Sequence, residues 1–159
     1  MKARSLAPRL VAAIGISGAL LLSGCTFMAP QATLNKYDPA DGVGADLGDV
    51  LLRNVIAVTN EDGSVANVTF TAINTGEATK LNFSVPRGDG SKEQNSIPIP
   101  SGSTLVGERS PHIILVDDPD AIVGGLLAVT FQVGDADSQT LLAPVLDSQG
   151  RPYLDPLVP

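Results

Sequence analysis

Apolar and polar residues alternate along several segments of the chain, and this period of two constrains the fold more than any other feature. In the clearest segment, Ala66–Ala72, apolar residues alternate with Asn67, Thr69 and Thr71. Successive side chains of a strand point to opposite faces of a sheet, so the pattern predicts strands with one buried face. No segment has sustained helical spacing. The best-marked predicted strands are Val50–Thr59, Ala66–Ala72, Leu81–Val85, Leu127–Val133 and Thr140–Val145.

Two further strand segments and one loop complete the prediction for the sheet. Ile97 and Ile99 each stand beside prolines, a pattern that is compatible only with a sheet edge. The polar stretch from Pro86 to Ser96 predicts a loop, and the compact aliphatic run His112–Val116 predicts a strand buried on both faces. Turns rich in Gly, Asn and Asp separate the segments. The fold class predicted is all-β, an immunoglobulin-like or cupredoxin-like antiparallel β-sandwich of about seven strands.

The first 24 residues have the build of a secretory signal. A basic start precedes an uncharged apolar run, Leu10–Leu22, whose 13 residues are too few to cross a bilayer that needs about 20. Leu22-Ser23-Gly24-Cys25 resembles the lipobox of bacterial lipoproteins, and Cys25 is the only cysteine of the chain. The resemblance implies a lipid on Cys25 that anchors the mature protein to the extracytoplasmic face of the cell membrane.

The chain is predicted to consist of four parts. Residues 1–24 form the lipoprotein signal peptide, 25–43 the lipidated N-terminus and tether, 44–146 the β-sandwich domain, and 147–159 a proline-rich, extended C-terminal tail. Asp38 and Asp41 beside Gly42 leave open a cation site such as calcium in the tether, although their spacing differs from an EF-hand loop.

The mature chain is strongly acidic. Removing residues 1–24 removes three of ten basic residues and none of seventeen acidic ones, which leaves a net charge of −10. Nucleic acids are bound through clusters of Lys and Arg, whereas the basic residues here are scattered. We therefore expect no nucleic-acid partner.

Residues for common catalytic chemistry are missing. His112 is the only histidine, no Gly-x-Ser-x-Gly motif is present, and no glycine-rich loop precedes a predicted helix. The sequence therefore predicts no catalytic residues, no cofactor and no enzyme activity. Paired carboxylates of a glycosidase-like site remain a third alternative.

Two stretches, Ala66–Gly76 and Pro98–Val145, resemble the PCuAC family of periplasmic copper chaperones, which are cupredoxin-like sandwiches. The resemblance implies copper binding through an upstream His and Met and a later His-x-Met. His112 matches the later histidine, but Ile114 replaces its methionine, and Lys80–Ile99 contains neither His nor Met. The fold is therefore expected to carry over without the copper ligands, and no metal-binding residues are predicted.

The combination of the lipobox, the acidic tether, the strand Asp49–Asn54 and this sandwich also resembles the small surface lipoproteins of mycobacteria and related actinobacteria. The function expected is a lipid-anchored, non-catalytic binding or accessory module of the cell envelope. Its partners are the membrane, through the lipid on Cys25, and an unidentified envelope protein or ligand. The alternative is a copper-handling protein of the PCuAC type with a degenerate site that uses His112 and carboxylates.

Overall fold

The computed structural model describes residues 38, 40–107 and 111–159, and these residues form β-strands and one short helix. The predicted signal peptide, Cys25 and most of the predicted tether lie outside the described residues. No helix in the described part is long and apolar enough to cross a membrane. The elements are β1 Val43–Leu47, β2 Val50–Thr59, β3 Val65–Asn74, β4 Thr79–Pro86, β5 Lys92–Ile99, β6 Gly102–Val106, β7 Ile114–Asp117, β8 Leu126–Val133, β9 Gln139–Leu146 and a 3-10 helix Pro152–Leu157.

The strands form a curled sheet in the order β5-β4-β8-β9-β2-β3-β6, with β1 beside β2 and β7 beside β3. Its two halves enclose one mainly aliphatic core that also contains three phenylalanines, which confirms the predicted all-β sandwich. The described strand pairs are antiparallel as predicted, with one exception: β2 runs parallel to β9 at Ala57↔Val145 and Val58↔Leu146. This contact joins the two halves of the sheet.

β2 contains a β-bulge just before the residues that pair with β9. The register against β3 shifts between Arg53 and Ile56, and Asn54 adopts a positive φ of 53°, which asparagine tolerates better than most residues. The Asn54 side-chain oxygen accepts a hydrogen bond of 2.9 Å from the Gly42 backbone N–H. A Cβ on Gly42 would lie 2.6 Å from the Asn54 carbonyl carbon, so this close approach requires glycine.

The bulge also reverses which side chains of β2 face the core. Val50 and Leu52 point inward before it, whereas Val55 and Ala57 point inward after it. Ile56 and Val58 consequently face away from the main core, and a different part of the chain must shield them from solvent. An extra residue in one strand exchanges its two faces, because successive side chains alternate.

The C-terminal segment supplies that cover. Leu154 of the 3-10 helix is buried against Ile56 and Val58 in a second, smaller apolar cluster. The Asn67 side-chain amide donates a hydrogen bond of 2.9 Å to the Leu157 carbonyl, and the Tyr153 hydroxyl donates one of 2.7 Å to Asp41. The tail was expected to be extended. It is helical over Pro152–Leu157, and its packing holds the two ends of the described chain together.

The main core is centred on two aromatic rings from opposite halves of the sandwich. Phe70 of β3 and Phe131 of β8 are 1% and 0% exposed. Their ring centroids lie 5.3 Å apart at an interplanar angle of 79°, an edge-to-face contact. Both residues occupy apolar positions of alternating strands, as the sequence pattern predicts.

Two sequence-based expectations about strand boundaries and burial were wrong. The run His112–Val116 is not buried on both faces: β7 begins at Ile114, and Ile113 and Leu115 are 54% and 49% exposed. β7 lies at an edge of the sheet with β3 as its neighbour, and the C-terminal helix covers β2 instead. The polar stretch from Pro86 to Ser96 is not all loop, because β5 begins at Lys92.

Strands β1 and β6 raise the count from about seven to nine in the described part of the chain, and β5 extends the predicted edge segment at Ile97 and Ile99 back to Lys92. β5 is an edge strand whose first five residues are mostly exposed, so it carries little apolar alternation. β1 and β6 are five residues each and contribute few buried side chains. Short or polar strands give a weak periodic signal, which is why the sequence did not reveal them.

Candidate functional site

The position that corresponds to the histidine of the PCuAC motif lies just before β7. His112 is half-buried, and its backbone carbonyl accepts a hydrogen bond of 2.9 Å from the Gly107 N–H. Ile114, at the place of the motif's methionine, is 1% exposed and belongs to the apolar core. This pair therefore offers a single ligating side chain.

Metal ligands are not clustered in the part of the chain that the structure describes. It contains no group of three or more His, Cys, Asp or Glu side chains arranged to hold a metal ion. His112 is the sole imidazole of the sequence, and both Cys25 and Met28 fall outside the described residues. Soft thioether and thiolate ligands favour Cu(I), and within the described residues the donor set does not fit that ion.

The two aspartates considered for calcium each bind a different part of the protein. Asp38 accepts a hydrogen bond of 2.9 Å from the Gly44 N–H, and Asp41 accepts the one from Tyr153. This hydrogen bond raises the pKa of Tyr153, because it stabilises the protonated phenol and the nearby carboxylate disfavours the phenolate. These contacts give the two carboxylates structural roles at the start of the domain.

A second acidic region surrounds a surface depression of about 550 Å³ between the β2–β3 turn and the segment after β7. Its carboxylates include Glu61, Asp62, Asp118 and Asp120. The hydroxyl and the backbone N–H of Ser64 donate hydrogen bonds of 2.7 and 3.0 Å to Asp62 and lower its pKa. Asp62 thus caps a tight turn, a common role for aspartate.

Another concave surface of the described domain is lined by uncharged residues, most of them polar. It lies on the outer face of β5, β4 and β8 and has a volume of about 440 Å³. We call it the polar groove and define it by the side chains that its two rows contribute. These are Ser96, Asn82 and Gln132 in one row and Gln94, Ser84 and Thr130 in the other.

Strand alternation explains why these polar side chains share one face. Leu81, Phe83 and Val85 of β4 point into the core, so Asn82 and Ser84 between them point outward. The register aligns Asn82 with Ser96 of β5 and Gln132 of β8, and Ser84 with Gln94 and Thr130. Antiparallel pairing thus brings together residues from three strands that are separated along the chain.

Hydrogen bonds orient several side chains of the polar groove. The Gln94 amide donates to the Ser84 hydroxyl at 3.3 Å, and the Thr130 and Thr140 hydroxyls lie 2.9 Å apart. The Gln132 amide donates to the Ala136 carbonyl at 2.8 Å. The groove was not anticipated from the sequence. The alternation in Leu81–Val85 marks Asn82 and Ser84 as outward-facing, but the polar composition of the first half of β5 predicts a loop there.

Comparisons with known proteins bear on the fold. The chain matches no protein-family model and no curated protein. Among solved structures, it is similar to the apo PCuAC domain of PmoF2, with 13% identity, a TM-score of 0.50, and coverage of 66% of this chain and 95% of that one. The copper-bound PCuAC domain from PmoF2 aligns with 13% identity, a TM-score of 0.49, and coverage of 66% and 98%. The first of these supports a PCuAC-like fold for the described domain.

Proposed function

We propose that this protein is a lipid-anchored, non-catalytic binding module on the extracytoplasmic face of the cell membrane. The lipobox-like sequence ending at Cys25 supports the anchor, since one lipidated residue would hold the mature chain on the bilayer without a membrane-spanning helix. The polar groove is the observation that carries the binding role. It is a pre-formed concave surface whose side chains can hydrogen-bond a ligand but have no strong nucleophile or acid–base pair.

In this proposal, the outer face of the sheet binds the ligand, and the lipidated N-terminus holds the domain near the membrane. In the described domain, Asp38 and Asp41 fix the first residues to Gly44 and to the C-terminal helix. Residues between Cys25 and Asp38 would connect this fixed point to the lipid. The net charge of −10 after signal removal would keep the domain away from anionic headgroups and present its surface to other envelope components.

Metal handling of the PCuAC type is the second candidate, and the fold likeness gives it more support than it gives the first. Similar structures are PCuAC domains, one of them copper-bound. In this chain such a role would use a degenerate site of His112 together with carboxylates. Carboxylate oxygens suit harder ions than Cu(I), so this site would differ chemically from the thioether-containing one that the family resemblance implies.

Copper competition distinguishes the two functions. The mature lipoprotein, kept in detergent, is titrated with Cu(I) against a chromogenic chelator and compared with His112→Ala and with Gln149→Ala as an exposed control. One imidazole without soft partners should hold Cu(I) no more tightly than about micromolar, and His112→Ala should change nothing.

Retention of one equivalent of copper by the wild type and by Gln149→Ala, with release by His112→Ala, would establish metal handling instead. Equal loss of copper from all three proteins to the chelator would favour the binding module.

A further inference from the structure

We propose that the polar groove binds a neutral carbohydrate, that is, a polyhydroxylated chain without charged groups. The inference rests on the proposed binding function and deepens it by assigning a ligand class to one face of the domain. The groove occupies about 440 Å³, within the range of sites for small organic ligands.

The chemistry of the lining favours hydroxyl groups as partners. The six side chains of the two rows are hydroxyls or carboxamides, and no charged residue lines the groove, although the mature chain carries a net charge of −10. Phe83 and Phe131 complete the apolar part of the lining. Hydroxyls donate and accept hydrogen bonds, and carboxamides offer two donors and an acceptor carbonyl. Sugar hydroxyls have the same dual capacity. A phosphate, a nucleic acid or a metal ion would instead call for charged side chains in the lining.

The arrangement is regular and held by the sheet. Neighbouring strands lie about 4.8 Å apart, so each row presents a hydrogen-bonding group at every step across β5, β4 and β8. Side chains of Gln94, Thr130 and Gln132 are already oriented by hydrogen bonds. Pre-oriented groups on a rigid sheet lose little conformational entropy when a ligand binds.

Asn82 stands at the centre of the first row, between Ser96 and Gln132. Among the described residues, its carboxamide has no hydrogen-bond partner, and the side chain is half-buried. A partly desolvated amide gains from a ligand that supplies both a donor and an acceptor. Asn82 is therefore the residue on which we expect a bound sugar to depend most.

Two further features define the kind of binding expected. Phe83 and Phe131 also line the groove, but they face the core with 7% and 0% exposure and offer little ring surface for stacking. Binding through hydrogen bonds alone should be weak, with a dissociation constant on the order of millimolar.

Lys80 and Lys92 occupy outward positions beyond the ends of the rows, so an anionic polysaccharide is the competing ligand that the test must exclude.

The test is an NMR titration of the isotope-labelled mature lipoprotein in detergent, observed at the Asn and Gln side-chain amides. Neutral oligosaccharides derived from dextran, mannan and arabinogalactan are compared with anionic oligogalacturonates. We expect the Asn82, Gln94 and Gln132 signals to shift with at least one neutral probe. Asn82→Leu and Gln132→Leu should each raise the half-saturating concentration about fivefold or more, the effect of losing one hydrogen bond.

The matched control is Gln149→Leu, which removes an exposed carboxamide in the turn after β9 and should leave the half-saturating concentration within about twofold. If either groove variant loses the dispersed signals of a folded sheet, Ser96→Leu on edge strand β5 replaces it.

Absence of shifts with every neutral probe would overturn the proposal. Shifts seen only with oligogalacturonates, and lost in Lys80→Gln or Lys92→Gln, would overturn it in favour of an anionic ligand. Either result would leave the proposed function to be tested independently, by copper competition for metal handling and by detergent partitioning for the lipid anchor.

Discussion

Replacing Phe70 by alanine removes the ring at the centre of the main core. Phe70 is 1% exposed and meets Phe131 edge to face at 5.3 Å, across the two halves of the sandwich. Removing a buried phenylalanine costs about 3–5 kcal/mol, because apolar contacts are lost and a cavity remains. The edge-to-face contact accounts for about 0.5–1.5 kcal/mol of this. A domain is typically stable by about 5–15 kcal/mol, so the variant should remain folded in water only marginally.

Urea unfolding followed by far-ultraviolet circular dichroism measures this loss without needing tryptophan, which the chain lacks. Phe70→Ala, Phe131→Ala and the double variant form a cycle whose coupling free energy should be about 0.5–1.5 kcal/mol. Leu105→Ala is the control, because Leu105 is 52% exposed on β6 and should cost less than about 0.5 kcal/mol. A loss below about 1 kcal/mol for Phe70→Ala, or additive effects in the cycle, would refute the reasoning.

Two other predictions concern the ends of the chain. Cys25→Ala should abolish lipidation, because no other thiol exists, and the protein should leave the detergent phase in partitioning assays; retention there would contradict the proposed anchor. Alkaline absorbance titration should show Tyr153 ionising above the usual tyrosine pKa in the wild type and nearer to it in Asp41→Ala, with Tyr153→Phe identifying the signal. Because folding raises the pKa of Tyr153, its hydrogen bond to Asp41 stabilises the fold at neutral pH, and this stabilisation is lost as the pH rises through the Tyr153 pKa. Identical titration curves for the wild type and Asp41→Ala would disprove the contact.

Local alternation predicted the central strands because each has one face against a continuous core. Ala66–Ala72 and Leu81–Val85 lie within β3 and β4, and Phe70 and Phe131 are buried as their positions in the pattern predict. The sequence pattern did not predict burial correctly for β7. Leu115 is aliphatic yet half exposed, because β7 is an edge strand whose outer face the C-terminal helix does not cover.

The candidate site was less predictable than the fold. Asn82 and Ser84 could be recognised as outward-facing residues of one strand, but the polar groove needs β5 and β8 beside them. β8 is distant in sequence, and β5 has a polar composition that resembles a loop. In contrast, the sequence alone shows that Ile114 replaces the methionine of the His-x-Met motif, because the identity of a residue does not depend on the fold.

The sequence alone determined the all-β class, the aromatic positions of the core, the acidic net charge and the expectation of a lipid on Cys25. Tertiary structure decided which strands pair, the parallel contact of β2 with β9, and the placement of Leu154 over Ile56 and Val58. It also assembled the polar groove from three strands. The physical reason is that side-chain alternation is a local property of a strand, whereas pairing and register depend on contacts between residues far apart along the chain.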